Sequence, residues 1–506
     1  MSLQRASIQV SLASIAVYFV SFINQLLIAR TFGAGMRMDA YLAGSNVPLI
    51  VNNLIGAVFV YAVVPHIVHA SAEGAVLKPK ITGLLVGCGA LSILTLTIGL
   101  TAHFLPLLRS DQFGDYQKEA AWSAALSWGS CAVFFVTALS DALFNANKRF
   151  LFPVLAYFPA YLLTSIACFA IGGKFGGPAL AGATLVGYIL VVPVRIAQQR
   201  NQFGAPLDFS LFKSFVRQIP FTALAVMSLY AFPVVDTFLG PKVGVGVLSI
   251  LGYSTRIIST LAVIIALGPF GVLIPELASH SATENRERFA LRAATLIRYA
   301  LTLLIPVAVW LTLFRFPVIT VLLQRGEFGV NETYALSGLL FFNIPGSVFM
   351  VLSMLIVRVL LADKRVGEAA ALSTLNLGLY FALCQTLSSK DSLKGFGEAF
   401  VISWATHALV GLIVLFRRDR THFETLRNLA FLGQLFASTV ALFVFGFGIA
   451  ALALPTESRA TMIVAVPVSF VGCLVVYFGV GSLLGSAEHQ RVWGMVSKLA
   501  RRSRSA

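Results

Sequence analysis

Charge is scarce in this sequence. Only 11% of its 506 residues are Asp, Glu, Lys or Arg, against 58% apolar, whereas a soluble domain carries roughly 25% charged residues. A soluble globule of this composition would have no polar coat. Ten-residue segments of alternating polarity are missing too, which argues against a membrane barrel. No Walker loop, GxSxG elbow or HExxH pair occurs, so no enzymatic chemistry is assigned and an ATP-driven pump is disfavoured. The five cysteines, Cys88, Cys131, Cys168, Cys384 and Cys473, lie singly inside apolar runs; no disulfide and no metal site is expected of them. His66 and His69 have ligand-like spacing but no Cys or carboxylate beside them, and read as surface residues. Acidic residues are the scarcer sign, 21 against 37 basic, for a net charge of +16. In a soluble protein that excess would suggest nucleic acid. Here the basic residues cluster between apolar runs, the pattern of cytoplasmic flanks.

What the sequence has in quantity is long apolar segments. Fourteen runs are read as spans: 8–29, 40–69, 80–107, 120–146, 151–172, 178–199, 211–238, 244–279, 289–314, 333–361, 367–388, 395–416, 428–454 and 461–485. Each can cross roughly 30 Å of hydrocarbon, and each must be helical because lipid offers the backbone no hydrogen bonds. The first run has no small-residue cleavage site after it and reads as a retained helix. With both termini cytoplasmic, roughly 24 Lys and Arg fall inside and roughly 11 outside. The strongest inside clusters are Arg195/Arg200/Lys213/Arg217, Arg286/Arg288/Arg292 and Arg417/Arg418/Arg420, and the tail Lys498, Arg501, Arg502 and Arg504 suits anionic headgroups. The expected location is a bacterial inner membrane, crossed many times.

Three short echoes reveal a repeat. Arg30-Thr31-Phe32-Gly33 resembles Asp236-Thr237-Phe238-Leu239-Gly240, Val64-Pro65-His66-Ile67 resembles Ile274-Pro275-Glu276-Leu277, and Asn147-Lys148-Arg149 resembles Asp363-Lys364-Arg365, at offsets of 206, 210 and 216. An offset of six spans means a parallel repeat about an axis along the membrane normal. The expected fold is therefore all-α: a lobe over 1–205, a second over 206–420, and two further helices with a basic tail over 421–506. Prolines within the spans, among them Pro48, Pro220, Pro233, Pro306, Pro345 and Pro467, read chiefly as packing kinks.

Polar residues inside lipid each need a reason. Asp39, Asn46 and Asn53 recur at seven-residue spacing on the second span, with Asn52 beside them and Asn24 and Gln25 on the first. Together they suggest that these two helices line a polar cavity, although amides also join helices by hydrogen bonds. Arg256 lies mid-span and needs water, a carboxylate or an anionic substrate; its guanidinium suits phosphate oxygens. Arg358 is nearer a helix end and can snorkel. Asp236 and Asn376 are candidates for holding Na⁺ or a proton.

Several stretches resemble one family. Arg30-Thr31-Phe32-Gly33-Ala34-Gly35, Met38-Asp39-Ala40-Tyr41, Pro48 and Val64-Pro65 are similar to the opening of the MurJ (MviN) lipid II flippases, of the multidrug/oligosaccharidyl-lipid/polysaccharide exporter superfamily. Asn145 to Pro153, Val235 to Arg256, and Leu322-Leu323-Gln324-Arg325-Gly326-Glu327-Phe328 extend the likeness, in order, over nearly the whole chain. The resemblance implies fourteen helices, two six-helix lobes, and two extra helices forming a lipid-facing groove. It also implies a cationic cavity, which Asp39 and Arg256 match, and a sodium site at Asp236 and Asn376; Arg30 is a further candidate for the cavity. Departures are visible. Asn24 and Asn52 stand where arginines are usual, Ala57 and Ser259 where glutamates are frequent, and Gly378 where a carboxylate is expected.

The expected function is translocation of a polyprenyl-diphosphate-linked glycan, lipid II or a surface-polysaccharide intermediate, by alternating access. The thinned positive charge favours the second substrate more than the family name suggests. Membrane lipids and cell-envelope glycan enzymes are the expected partners, with no cofactor beyond Na⁺ or H⁺ as the candidate coupling ion, and with no nucleic acid. Two other readings stay open: an ion-coupled small-molecule exporter and a non-transporting scaffold.

Overall fold

A computed structural model describes residues 3–64, 67, 77–109, 114–147, 149, 151–262, 286–363, 365–388, 393–418, 428–453 and 459–494. Among them every regular element is helical. The helices are α1 (Leu3–Phe32), α2 (Met36–Val58), α3 (Lys78–Arg109), α4 (Gly114–Ala146), α5 (Leu151–Phe175), α6 (Gly177–Gln199), α7 (Ser210–Tyr230), α8 (Phe232–Val243), α9 (Val247–Ala262), α10 (Arg286–Leu322), α11 (Val330–Ala362), α12 (Val366–Leu387), α13 (Leu393–Arg418), α14 (Leu429–Ala453) and α15 (Arg459–Leu483). Eleven are long and apolar enough to cross a membrane, or twelve if α7 and α8 count as one broken span. The chain is a multi-pass membrane protein. The predicted eighth span, 244–279, and the residues His66 and His69 fall partly or wholly outside the described residues.

Two predicted spans differ from the helices observed, each for a local reason. The seventh is broken after Tyr230 and bends by 50° into α8. Pro233, in the first turn of α8, cannot donate to the carbonyl one turn back. The ninth was expected to stop before Arg315-Phe316-Pro317, yet α10 runs on to Leu322 through Pro317. The Arg315 guanidinium donates to the carbonyls of Thr312 and Ser337 and lies over the Phe341 ring, so its charge is satisfied without leaving the helix.

Contacts divide the chain into two compact units. The first comprises Met1–Tyr253, Arg325–Glu332 and Val366–Gln385. Its pillar is α4, against which α2, α3 and α6 pack. Close approach rests on small residues, as expected where lipid gives helices no hydrophobic reason to associate. A Cβ on Gly44 would come within 2.3 Å of the Ala120 carbonyl oxygen, and one on Gly187 within 2.4 Å of the Ala160 Cα. The second unit comprises Ser254–Gln324, Thr333–Arg365 and Thr386–Ala506. Here α11 and α13 run parallel in a fixed register: Gly397 sits against Phe342, Gly346 against Phe400 and Val401, and Gly411 against Ile356. Arg298 of α10 pairs with Glu488 at 2.8 Å and lies over the Phe431 ring, tying the segment after α15 to α10 and α14.

One basic residue contradicts the charge map. Arg195, counted above with the cytoplasmic cations, is only 1% exposed. Its guanidinium pairs with Asp141 and donates to the Thr137 carbonyl at 2.8 Å, while the Tyr157 hydroxyl donates to the other Asp141 oxygen at 2.8 Å. It joins α4, α5 and α6 and is not free to meet headgroups. A buried pair is worth little against apolar replacements, but half a pair is costly. Asp141→Ala should destabilise the protein by about 3–5 kcal/mol, and Asp141→Leu combined with Arg195→Met should restore most of that. Thermal unfolding in detergent measures both.

Candidate functional site

The short link between α1 and α2 positions Asp39. Gly33 ends α1 with a positive φ of +57°, and a Cβ there would lie 2.3 Å from the Glu327 carbonyl oxygen. The turn puts Asp39 in the first turn of α2, 3% exposed. Its carboxylate reaches the start of α9, a helix distant in sequence. Oδ2 accepts the Gly246 N–H at 2.6 Å, and Oδ1 accepts both the Ser249 N–H at 2.7 Å and the Ser249 hydroxyl. The first amides of a helix have no partner within it and carry the positive end of its dipole. Asp39 therefore caps α9 from outside, and α9 supplies the donors a buried carboxylate requires.

Two more contacts close the junction. The Tyr253 hydroxyl donates to the Gly33 carbonyl at 2.7 Å, and its ring meets Phe328 edge-on with centroids 5.5 Å apart. The Glu327 N–H donates to the Arg30 carbonyl at 3.0 Å. Gly246 (φ +83°) and Gly326 (φ +60°) face the carbonyls of Ala34 and Arg30, each within 2.3 Å of where a Cβ would sit. Three glycines in the left-handed region thus let three chain segments touch backbone to backbone.

The remaining predicted site residues do not all share one wet surface. Asn46 is buried and its Nδ2 donates to the Thr237 hydroxyl at 2.9 Å. Asn24 is buried and accepts from Ser165 at 3.2 Å. Asn52 is buried and its Oδ1 has no partner among the described residues. Asn53 is exposed, Gln25 is half-buried, and Arg30 is exposed. Along the seven-residue stripe of α2, Asp39 and Asn46 are buried and meet α9 and α8, while Asn53 is exposed. Arg256 is exposed on α9, with Ser259 one turn on and also exposed.

Asp236 and Asn376 are both buried in the first unit. The Asp236 Oδ1 accepts the Tyr380 hydroxyl at 2.6 Å, and the Tyr380 ring stacks on Phe232 at 3.9 Å. Tyr380 lies one turn beyond Asn376, whose amide N and O have no partner among the described residues. Among the described residues no three His, Cys, Asp or Glu side chains gather. One Asp236 oxygen accepts the Tyr380 hydroxyl, and the Asn376 amide oxygen is a further candidate ligand atom without a partner among the described residues; no step below depends on a cation there.

A family model described as "Lipid II flippase MurJ" matches residues 28–472. The chain belongs to the MurJ family of lipid II flippases. Its MurJ relatives include a protein of Bdellovibrio bacteriovorus named "Probable lipid II flippase MurJ", 24% identical, covering 81% of this chain and 79% of that one. A Thermotoga maritima protein of the same name is 21% identical over 84% and 87% of the two chains. Among solved structures, one titled "Lipid II flippase MurJ, inward closed conformation" superposes with a TM-score of 0.72 at 18% identity, covering 93% of this chain and 99% of that one. An inward-facing MATE-family multidrug resistance transporter gives 0.64 at 15% identity, over 81% and 99%; at such identities the likeness concerns the fold. The MurJ-like stretches at Arg30–Gly35, Gly244–Tyr253 and Gln324–Phe328 are the ones that meet at Asp39. Gly246, Ser249 and Tyr253 lie in the family-like stretch Val235 to Arg256, in which sequence reasoning assigns them no role. Their signal was the pairing of a lone acidic residue at one helix start with a Gly-x-x-Ser at another.

Removing single parts of the MurJ junction should have graded effects. Tyr253→Phe loses one hydrogen bond, about 1 kcal/mol. Gly246→Ala adds both a disfavoured φ and a clash with the Ala34 carbonyl, and should cost more than Tyr253→Phe. Melting temperatures of the two variants give the order.

Proposed function

We propose that this chain flips a polyprenyl-diphosphate-linked glycan precursor, lipid II or a related surface-glycan intermediate, across the bacterial inner membrane by alternating access. The observation that carries the reading is the Asp39 junction. On the reading that both termini are cytoplasmic, the α1–α2, α8–α9 and α10–α11 links fall on the extracytoplasmic side, and the junction is proposed to be a gate at that end. It is held by hydrogen bonds to a carboxylate and by glycine contacts, and water can replace those hydrogen bonds when it opens. Such a closure is strong enough to hold and weak enough to reverse.

Arg256 is the residue assigned to the diphosphate. It is exposed on the helix whose start Asp39 holds, and a guanidinium grips phosphate oxygens in pairs. Cell-envelope glycan enzymes are the natural neighbours of such a carrier. The fold-level likeness to multidrug transporters adds no argument about substrate.

Depletion of the protein, with lipid-linked intermediates scored on each leaflet, tests the reading. One intermediate should accumulate on the cytoplasmic leaflet; unchanged levels of all of them would remove the hypothesis. In proteoliposomes holding a lipid-linked glycan, Arg256→Ala should slow flipping at least about tenfold and Arg256→Lys less, because loss of a charge-assisted bond of about 1.4 kcal/mol or more is a factor of ten.

A further inference from the structure

Helix α13 begins with Lys394 and Glu398, paired at 3.2 Å, and ends with Arg417 and Arg418. Between them one ionisable side chain stands mid-helix: His407. It is 3% exposed. Neither ring nitrogen has a partner among the described residues, and the ring meets Trp404 edge-on at 5.7 Å. The α11–α13 register, about 55 positions throughout, sets Ser353 at the same level. Ser353 is fully buried, and its hydroxyl has no partner either. The charged residues of α11 are Glu332, in its first turn, and Arg358, five positions beyond Ser353.

An imidazole in this setting is conspicuous. A buried donor and acceptor left unmatched are unfavourable, and leucine would fill the space without that penalty. Ionisable groups inside a membrane mark proton or ion pathways by default. The neutral ring carries one N–H and one lone pair; a proton from water adds to the lone pair and leaves an imidazolium, with no bond broken in the protein. No carboxylate among the described residues is bonded to the ring, so the packed α11–α13 arrangement disfavours that charge. By linkage, whatever conformation wets His407 binds the proton more tightly, and acid shifts the population towards that conformation.

We propose that His407 is a proton-binding site inside the membrane, set where α11 and α13 pack, and that its protonation drives these two helices apart. The flippase reading supplies only the purpose of that motion. Cysteines placed at the exposed positions Phe341 and Leu409, spin-labelled in nanodiscs, report the α11–α13 separation by pulsed electron resonance. Between about pH 8 and about pH 5, a longer-distance population should grow from minor to major with the native His407. His407→Leu and His407→Asn should hold the short distance throughout, and His407→Leu should melt no lower than its parent at neutral pH. A distance unchanged by acid with His407 present, or the same shift in both variants, would overturn the proposal. Acid-driven separation in a protein that fails to flip substrate would keep the proton site and remove the flippase reading.

Discussion

A carboxylate buried among apolar helices must be given hydrogen-bond donors, and Asp39 takes them from the first amides of α9. Much of the first unit follows from that. The donors at Gly246 and Ser249 exist only because α9 begins there. The approach is close enough only because Gly33, Gly246 and Gly326 have no side chain to interpose. Tyr253, one turn further along α9, then reaches the Gly33 carbonyl. The interaction is directional, partly electrostatic, and exchangeable for water. Those are the properties the proposed gate requires.

The sequence showed the helices clearly and their partners poorly. Spans such as 461–485 and 395–416 fall within two residues of α15 and α13, because hydropathy reports what lipid excludes. It missed the break at Ala231 and the extension past Pro317, because each depends on where a few backbone carbonyls find donors. Among the site residues, Asp39 was visible as an expensive acid, but its partner was not, since Gly246 and Ser249 lie about two hundred positions away. Asn46 reads from the sequence as cavity lining, and its bond to Thr237, 191 positions away, is not visible there. Spacing on one helix indicates which residues share a face and says nothing of what the face meets.

Arg195 shows the same limit in charge. The positive-inside rule counts basic residues, and Arg195 stands at a helix end where a headgroup cation belongs. The structure uses it inside the bundle against Asp141 and Tyr157. Buried polar groups here therefore serve distinct ends. Arg195 and Asp141 are matched and tie three helices together. Asp39 is matched in a way that can be undone. His407 has no hydrogen-bond partner among the described residues, and the proposed proton site rests on that.

The amides of Gly246 and Ser249 offer the most direct test of the gate, because Ser249 lies in the first turn of α9 and its N–H has no intrahelical acceptor. Hydrogen exchange followed over residues 244–253 and 325–328 should show slow amides in the native protein. With Asp39→Ala, exchange in both segments should quicken together by at least about tenfold, the loss of about 1.4 kcal/mol of protection, while α4 stays unchanged. Equal exchange in the two proteins would mean that Asp39 does not hold the junction.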